Sequence, residues 1–201
     1  MHHLYDWFGL NVALFHLINC AHATGWDQLM LAMTWLGNHE WYPYYLALAL
    51  VVTYAAPRSL PLRNVVIFAI GYAFTAIVIP TLKPFLDFPR PLLVLGEQAV
   101  IVLGQPEFQH SFPSGHSTFA VLLAASLSPG VSRPWRWGLW LFAVLVCLSR
   151  ISVGAHFPAD VVGGALIGLA GAGTGWLLLR AKSTPALFSP LPGEDQGEGM
   201  Q

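Results

Sequence analysis

Three clusters of polar residues interrupt an otherwise apolar sequence, and their side chains are the kinds that bind and transfer phosphate. In chain order they contain Lys83 and Arg90; Ser114, Gly115 and His116; and Arg150, His156 and Asp160. Two guanidinium groups and one ammonium group can bind the oxygens of a phosphate and offset the charge that develops during its transfer. The clusters therefore predict a site for an anionic, phosphorylated ligand.

The second and third clusters also contain groups suited to acid–base and nucleophilic chemistry. If a helix begins near residue 157, His156 and Asp160 lie one turn apart, and the carboxylate can bind one imidazole nitrogen while the other attacks phosphorus. His116 can supply the proton that the leaving oxygen requires. Ser114 and Gly115, at a predicted helix start, can present backbone N–H groups to an anion.

The composition indicates that these clusters belong to a membrane protein. Of the 201 residues, 55% are hydrophobic and 9% are charged, whereas a soluble domain has about 25% charged residues. The formal net charge of -1 provides no positive excess for binding a nucleic acid. Cys20 and Cys147 lie far apart in apolar segments, which predicts buried thiols and neither a disulfide nor a zinc site.

Five apolar segments predict an all-α, polytopic transmembrane bundle. They cover residues 41–56, 62–82, 119–127 with a start near Ser114, 137–148 and 161–179. Polar residues punctuate segment 8–36, which predicts either a pair of short, partly interfacial helices or a sixth span. We expect one membrane-embedded domain over residues 1–182 and a disordered cytoplasmic tail over residues 183–201.

The basic residues outside the clusters predict the orientation of the bundle. Alternating spans place these residues on one side: Arg58, Arg63, Arg133, Arg136, Arg180 and Lys182. Cytoplasmic loops carry the excess of Lys and Arg, so this side is predicted to face the cytoplasm. The three polar clusters then lie together at the outer face.

The clusters resemble the three-part signature of the type 2 phosphatidic acid phosphatase superfamily. The matching stretches are Lys83-Pro-Phe-Leu-Asp-Phe-Pro-Arg90-Pro91, Pro113-Ser114-Gly115-His116 and Ser149-Arg150-Ile-Ser-Val-Gly-Ala-His156-Phe-Pro-Ala-Asp160. The resemblance implies that His156 forms a phosphohistidine, that Asp160 orients it and that His116 is the general acid. It further implies a phosphate cradle formed by Lys83, Arg90, Ser114, Gly115 and Arg150, with no metal and no other cofactor.

The resemblance also implies a phosphorylated lipid as substrate and the bacterial inner membrane as location, with the site facing the periplasm or exterior. Undecaprenyl diphosphate is the preferred substrate. Phosphatidylglycerophosphate, phosphatidic acid and lipid A phosphate are alternatives, as is a non-catalytic lipid-phosphate binding or transport protein. The oligomeric state stays open.

Two further expectations concern residues outside the clusters. We expect the remaining polar residues near them to be structural or to act only indirectly: His39, Asp87, Glu97, Glu107 and His110. The glycines of the last span are spaced at three or four residues and predict close helix packing within the bundle; they are Gly164, Gly168, Gly171 and Gly175.

Overall fold

The computed structural model describes residues 3–181, which fold into helices and connecting loops with no strand among them. The predicted tail, together with Lys182, lies outside the described residues. The helices are α1 (His3–Asp6), α2 (Leu10–Asn19), α3 (Thr24–Leu36), α4 (Tyr42–Ala55), α5 (Leu62–Leu86), α6 (Pro91–Leu95), α7 (Gly115–Leu127), α8 (Arg133–Ser152) and α9 (Pro158–Ala181). Single 3-10 turns at Trp7–Gly9 and His39–Trp41 precede α2 and α4.

Each of the five predicted spans corresponds to a helix, which confirms the all-α architecture. Two helical stretches, Leu62–Leu95 and Pro158–Arg180, are long and apolar enough to cross a membrane. The 14 residues of α4 and the 13 of α7 extend about 20 Å, less than the roughly 30 Å of a hydrocarbon core. The predicted number of five crossings therefore stays a prediction.

The N-terminal segment forms short helices, as one of the two sequence-based alternatives predicts. The helices α2 and α3 contain 10 and 13 residues, so they extend about 15 to 20 Å. In α2, Asn11 and Asn19 are fully buried, and they hydrogen-bond to backbone groups of Ala159 and Ser152. These contacts fix α2 against the ends of α8 and α9.

Helix α7 forms the centre of the bundle. Ser114 caps its first turn by accepting a hydrogen bond from the backbone N–H of Ser117, which satisfies one of the N–H groups that a helix start leaves unpaired. Most of its side chains are buried, and α5, α8 and α9 pack around it. Phe119 and Leu122 of α7 join Phe68 of α5 in the largest hydrophobic cluster. The motif at the start of α7 is thereby held at one end of the core.

The glycines of α9 allow close contact with α5 and α7, as their spacing predicts. A side-chain carbon on Gly168 would lie 2.5 Å from the carbonyl oxygen of Thr118, and one on Gly175 would lie 2.8 Å from that of Ile67. Neither distance leaves room for an atom. The glycines, spaced at three or four residues, therefore let the backbone of α9 contact its neighbours, which is the usual role of small residues between membrane helices.

Large apolar side chains cover much of the outer surface of the bundle. Leu48, Ile77, Leu141 and Leu166, on four different helices, are each about 60 to 70% exposed. Large apolar patches exposed on a protein surface mark contact with a protein partner or with a membrane. The exposed apolar surface is that of a protein surrounded by lipid.

We predict that Gly168→Ala destabilises the protein while Gly173→Ala does not. The two glycines lie on the same helix, but a side-chain carbon on Gly173 would meet no atom within 4 Å. Overpacking at Gly168 should cost about 1–3 kcal/mol, whereas alanine at an open helical position is neutral or slightly favourable. Thermal unfolding in detergent measures both, and equal melting temperatures for the two variants would contradict the packing described here.

Candidate active site

A cavity of about 590 Å³ lies at the end of the bundle where α7 and α9 begin. Residues of all three sequence clusters line it: Lys83, Arg90, Gly115, His116, Arg150 and His156. Largely apolar residues of α5, the helix that also carries Lys83, line part of the same cavity; they are Tyr72, Ala76, Ile79 and Pro80. The structure thus brings the three clusters together around one space whose lining is partly cationic and partly apolar.

Arg90 is fixed in the cavity wall by hydrogen bonds to the backbone. Its side chain is buried, Nε donates to the carbonyl oxygen of Gln109 at 2.9 Å, and Nη1 donates to that of Ala155 at 3.0 Å. The backbone N–H of Arg90 also donates to the carbonyl oxygen of Phe108 at 2.9 Å. These bonds fix the guanidinium group through Nε and Nη1, while Nη2 pairs with the carboxylate of Glu107.

Arg150, at the end of α8, is connected to His156 through the backbone. Its carbonyl oxygen accepts hydrogen bonds from the N–H groups of Ala155 and His156, both at 3.1 Å. The turn between them requires Gly154, which has a φ of +77° and lies against the carbonyl oxygen of Ile101. This geometry explains the glycine in the third cluster, because other residues rarely adopt such a φ.

Glu107, which we expect to be structural or to act only indirectly, bridges the two arginines. Its Oε2 lies 2.5 Å from Arg90 Nη2 and its Oε1 lies 3.7 Å from Arg150 Nη2. This bridge could not be predicted from spacing, because Glu107 is in an irregular loop without periodicity. A carboxylate of the protein itself thus contacts both guanidinium groups.

His156 is buried, with its two ring nitrogens in different surroundings. Nδ1 lies 3.4 Å from both Asp160 Oδ2 and Ser111 Oγ, whereas Nε2 lies 3.5 Å from Arg90 Nη1. Burial and the charges of Arg150, Arg90 and Lys83 hold the pKa of His156 well below its usual value. The imidazole is therefore neutral at pH 7, and Nε2 can keep a lone pair available for attack.

Asp160 lies behind His156 and is absent from the cavity wall. Its carboxylate is fully buried in the first turn of α9. Oδ2 accepts hydrogen bonds from Ser111 Oγ at 2.5 Å and from the Phe157 N–H at 2.9 Å. Oδ1 accepts one from the hydroxyl of Tyr5 at 2.5 Å. The four-residue separation from His156 gives the one-turn geometry that the sequence predicts.

At the start of α7, the structure differs from the predicted phosphate cradle in the position of Ser114. The side chain of Ser114 is fully buried, and its Oγ accepts a hydrogen bond from the Ser117 hydroxyl at 3.0 Å. The N-cap role directs this hydroxyl into the helix, so Gly115 and His116 line the cavity and Ser114 does not. Ser114 N–H donates to the carbonyl oxygen of Asp160 at 3.1 Å, which fixes α7 to α9 at the site.

Sequence reasoning missed several residues of the site, notably Tyr5, Ser111 and His39. Tyr5 and Ser111 contact Asp160, and His39 lines the cavity from the turn before α4. Ser111 lies close to the second motif, which is a signal that could have drawn attention to it, whereas Tyr5 lies in no motif. Within residues 3–181, no group of three His, Cys, Asp or Glu side chains is arranged to hold a metal ion.

Comparisons with known proteins agree with the motifs. The model of the PAP2 superfamily matches residues 64–183. An undecaprenyl-diphosphatase of Sulfolobus acidocaldarius is 32% identical over 169 residues, which are 80% of this chain and 74% of the relative. A lipid A 4'-phosphatase of Bacteroides thetaiotaomicron is 29% identical over 202 residues, which are 96% of this chain and 86% of the relative.

Solved structures have the same fold. The crystal structure of Aquifex aeolicus LpxE aligns with a TM-score of 0.73 at 30% identity and covers 84% of this chain and 95% of the other. That of a PAP2-type phosphatidylglycerolphosphate phosphatase from Bacillus subtilis aligns with a TM-score of 0.68 at 19% identity, covering 90% of each. By its motifs, its sequence match and its fold, the chain belongs to the PAP2 superfamily of membrane phosphatases.

Proposed function

We propose that this protein hydrolyses a phosphorylated lipid through a phosphohistidine on His156. The observation that supports this most is the mixed lining of the cavity, in which Lys83, Arg90 and Arg150 lie together with apolar side chains of α5. Cationic side chains suit phosphate oxygens, and the apolar side chains of the same cavity suit a hydrocarbon chain. A lipid phosphate combines both requirements in one molecule.

The arrangement supports a two-step reaction. His156 Nε2 attacks phosphorus, the bond between phosphorus and the leaving oxygen breaks, and His116 gives a proton to that oxygen. Water then attacks the phosphohistidine, His116 accepts a proton from the water, and the phosphorus–nitrogen bond breaks to release phosphate. Asp160 accepts a hydrogen bond from Nδ1 throughout, which stabilises the charge that forms on the imidazole.

Four of the five residues predicted to form the phosphate cradle line the cavity. Lys83, Arg90 and Arg150 supply positive charge, and Gly115 supplies a backbone N–H at the start of α7. Ser114 contributes by capping that helix, since its hydroxyl is bonded to Ser117. The cations are side chains, so the proposed reaction uses no metal.

Undecaprenyl diphosphate is the proposed substrate. The relative from Sulfolobus acidocaldarius is named for this activity and aligns with most of this chain. Lipid A 4'-phosphate is the second candidate, because the relative from Bacteroides thetaiotaomicron aligns with nearly the whole chain. The two candidates differ in the broken bond, which is a phosphoanhydride in the first and a phosphomonoester in the second.

We predict that purified protein in detergent releases phosphate fastest from undecaprenyl diphosphate within a panel that includes lipid A, phosphatidylglycerophosphate and phosphatidic acid. Activity should persist in EDTA.

His156→Ala should abolish turnover, and Asp160→Asn should retain a small residual rate, because the nucleophile survives without its orienting carboxylate. Turnover by His156→Ala equal to that of the parent would refute the mechanism, and faster hydrolysis of lipid A would replace the proposed substrate.

We also predict that Glu107→Gln strengthens binding of vanadate, a phosphate analogue. The Glu107 carboxylate contacts the two arginines that the proposal assigns to phosphate, so an anion must displace it. Because Glu107 is half exposed, its ion pairs should be worth up to ~1 kcal/mol, or about a fivefold decrease in the inhibition constant. Glu97→Gln is the matched control, since Glu97 is exposed between α6 and α7. The same inhibition constant in both variants would contradict this competition.

The proposed orientation places the cavity at the outer face of the membrane. The start of α5 contacts the end of α7, because Asn64 donates hydrogen bonds to the carbonyl oxygens of Leu127 and Pro129. Arg63 lies 4.4 Å over the ring of Trp176 near the end of α9. Within residues 3–181, the basic residues outside the motifs therefore share the end of the bundle opposite the cavity, and the positive-inside rule assigns that end to the cytoplasm.

Cysteine labelling in intact cells should reveal this orientation. In a background with Cys20 and Cys147 replaced by serine, Gln98→Cys should react with a membrane-impermeant maleimide, whereas Ser132→Cys should react only after lysis. Both positions are exposed, one beside the cavity end and the other before α8. The reverse pattern would place the cavity in the cytoplasm and would remove the topological argument for a substrate in the outer leaflet.

A further inference from the structure

Tyr5, far from all three motifs in sequence, contacts the carboxylate behind the proposed nucleophile. Its hydroxyl donates to Asp160 Oδ1 at 2.5 Å. Within the described residues, this is the one hydrogen bond made to Oδ1 of Asp160. The other oxygen, Oδ2, accepts hydrogen bonds from the Ser111 hydroxyl and from the Phe157 N–H. The orientation of the carboxylate therefore depends on donors on both oxygens, and Tyr5 supplies one side.

The ring of Tyr5 is packed so that its hydroxyl has little freedom to turn away. It stacks on Phe88 with the ring centroids 4.4 Å apart and meets Phe112 and Phe157 edge-on at 6.4 and 6.3 Å. Burial and the nearby Asp160 raise the pKa of Tyr5. The phenol therefore stays protonated at neutral pH and remains a hydrogen-bond donor.

The backbone of Tyr5 is fixed to the same turn that carries Asp160. Asn11 is fully buried, its Nδ2 donates to the carbonyl oxygen of Tyr5 at 3.2 Å, and its Oδ1 accepts from the Ala159 N–H at 2.9 Å. One asparagine thus joins α1 to the first turn of α9. A buried amide bonded on both sides is costly to break, so the contact is a built part of the site.

We propose that Tyr5 is a positioning residue that holds the Asp160 carboxylate so that Oδ2 faces Nδ1 of His156. This inference rests on the proposed function, because it acts through the His156–Asp160 pair. A buried carboxylate that lost the donor on Oδ1 would be left with an unpaired oxygen and could rotate towards another partner. The imidazole would then lose its alignment, while the cationic groups that bind phosphate would stay in place.

The primary test compares Tyr5→Phe with Tyr45→Phe. Tyr45 also donates a tyrosine hydroxyl hydrogen bond, to the carbonyl oxygen of Leu36 at 3.0 Å, but it does not line the cavity or contact Asp160. Phenylalanine at position 5 keeps the ring stacking. We expect kcat for phosphate release to fall about tenfold in Tyr5→Phe, the usual cost of losing a hydrogen bond to a charged group, with KM within twofold and no such fall in Tyr45→Phe.

A double variant separates positioning from a general effect on folding. In the Asp160→Asn background, Tyr5→Phe should reduce the residual rate less than twofold, because no carboxylate charge is left to hold. If Tyr5 only stabilised the fold, the same factor would appear in both backgrounds, and the inference would be overturned.

Vanadate binding gives a readout that does not require turnover of any lipid. Vanadate can bond to a neutral, aligned His156 in the way that a transferred phosphate does, so its dissociation constant should rise about tenfold in Tyr5→Phe and stay unchanged in Tyr45→Phe. If the parent protein released phosphate from no lipid and this shift were still observed, the proposed function would fail and the role of Tyr5 would stand. Unchanged kcat and unchanged vanadate binding in Tyr5→Phe would overturn the inference.

Discussion

The arrangement of the site depends on one fully buried carboxylate, which needs hydrogen-bond donors in place of water. Removing a charged group from water costs several kcal/mol unless hydrogen bonds replace its hydration. Asp160 meets this requirement with donors from three parts of the chain: the hydroxyl of Tyr5, the hydroxyl of Ser111 and the N–H of Phe157. Its backbone oxygen accepts from Ser114 as well. Around this one residue the N-terminal helix, the loop before α7 and the start of α9 acquire fixed positions, and the imidazole of His156 is set between them and the cavity.

Helix packing and site geometry come from the same residues. The glycines that let α9 touch α7 begin at Gly164, whose missing side chain leaves room for the carbonyl of Ser114. The second and third motifs can meet only because this end of the two helices is in backbone contact. The cations then lie around the meeting point, where the Arg90 side chain is held by two carbonyl oxygens and the backbone of Arg150 bonds to the turn that contains Gly154. The charge of Arg90 is therefore presented by a fixed group, which reduces the cost of ordering it around an anion.

The helices and the motif residues could be predicted from the sequence, because both follow local patterns. Apolar runs closed by Pro, Gly or Arg indicate α4, α5, α7, α8 and α9, and the four-residue step from His156 to Asp160 predicts their one-turn geometry. Contacts between distant segments leave no such pattern. Glu107 lies in an irregular loop, and Tyr5 reaches Asp160 across 155 positions, so neither could be assigned from spacing. The motif predicts Ser114 as part of the cradle, whereas its side chain is fully buried and its hydroxyl accepts a hydrogen bond from Ser117 inside α7.

The bonds between the N-terminal segment and the last two helices also constrain the order of assembly. Asn11 bonds to Ala159 across 148 positions and Asn19 to Ser152 across 133. Residues 5–19 leave the ribosome long before their partners are made. The side chains of Asn11, Asn19 and Tyr5 therefore lack these partners during synthesis and lie in water or at the lipid boundary. They are satisfied only when α8 and α9 are in place. The contacts around His156 and Asp160 and those of the N-terminal segment are consequently completed in the same late event, and a nascent chain that has not yet inserted its last helix lacks the proposed site.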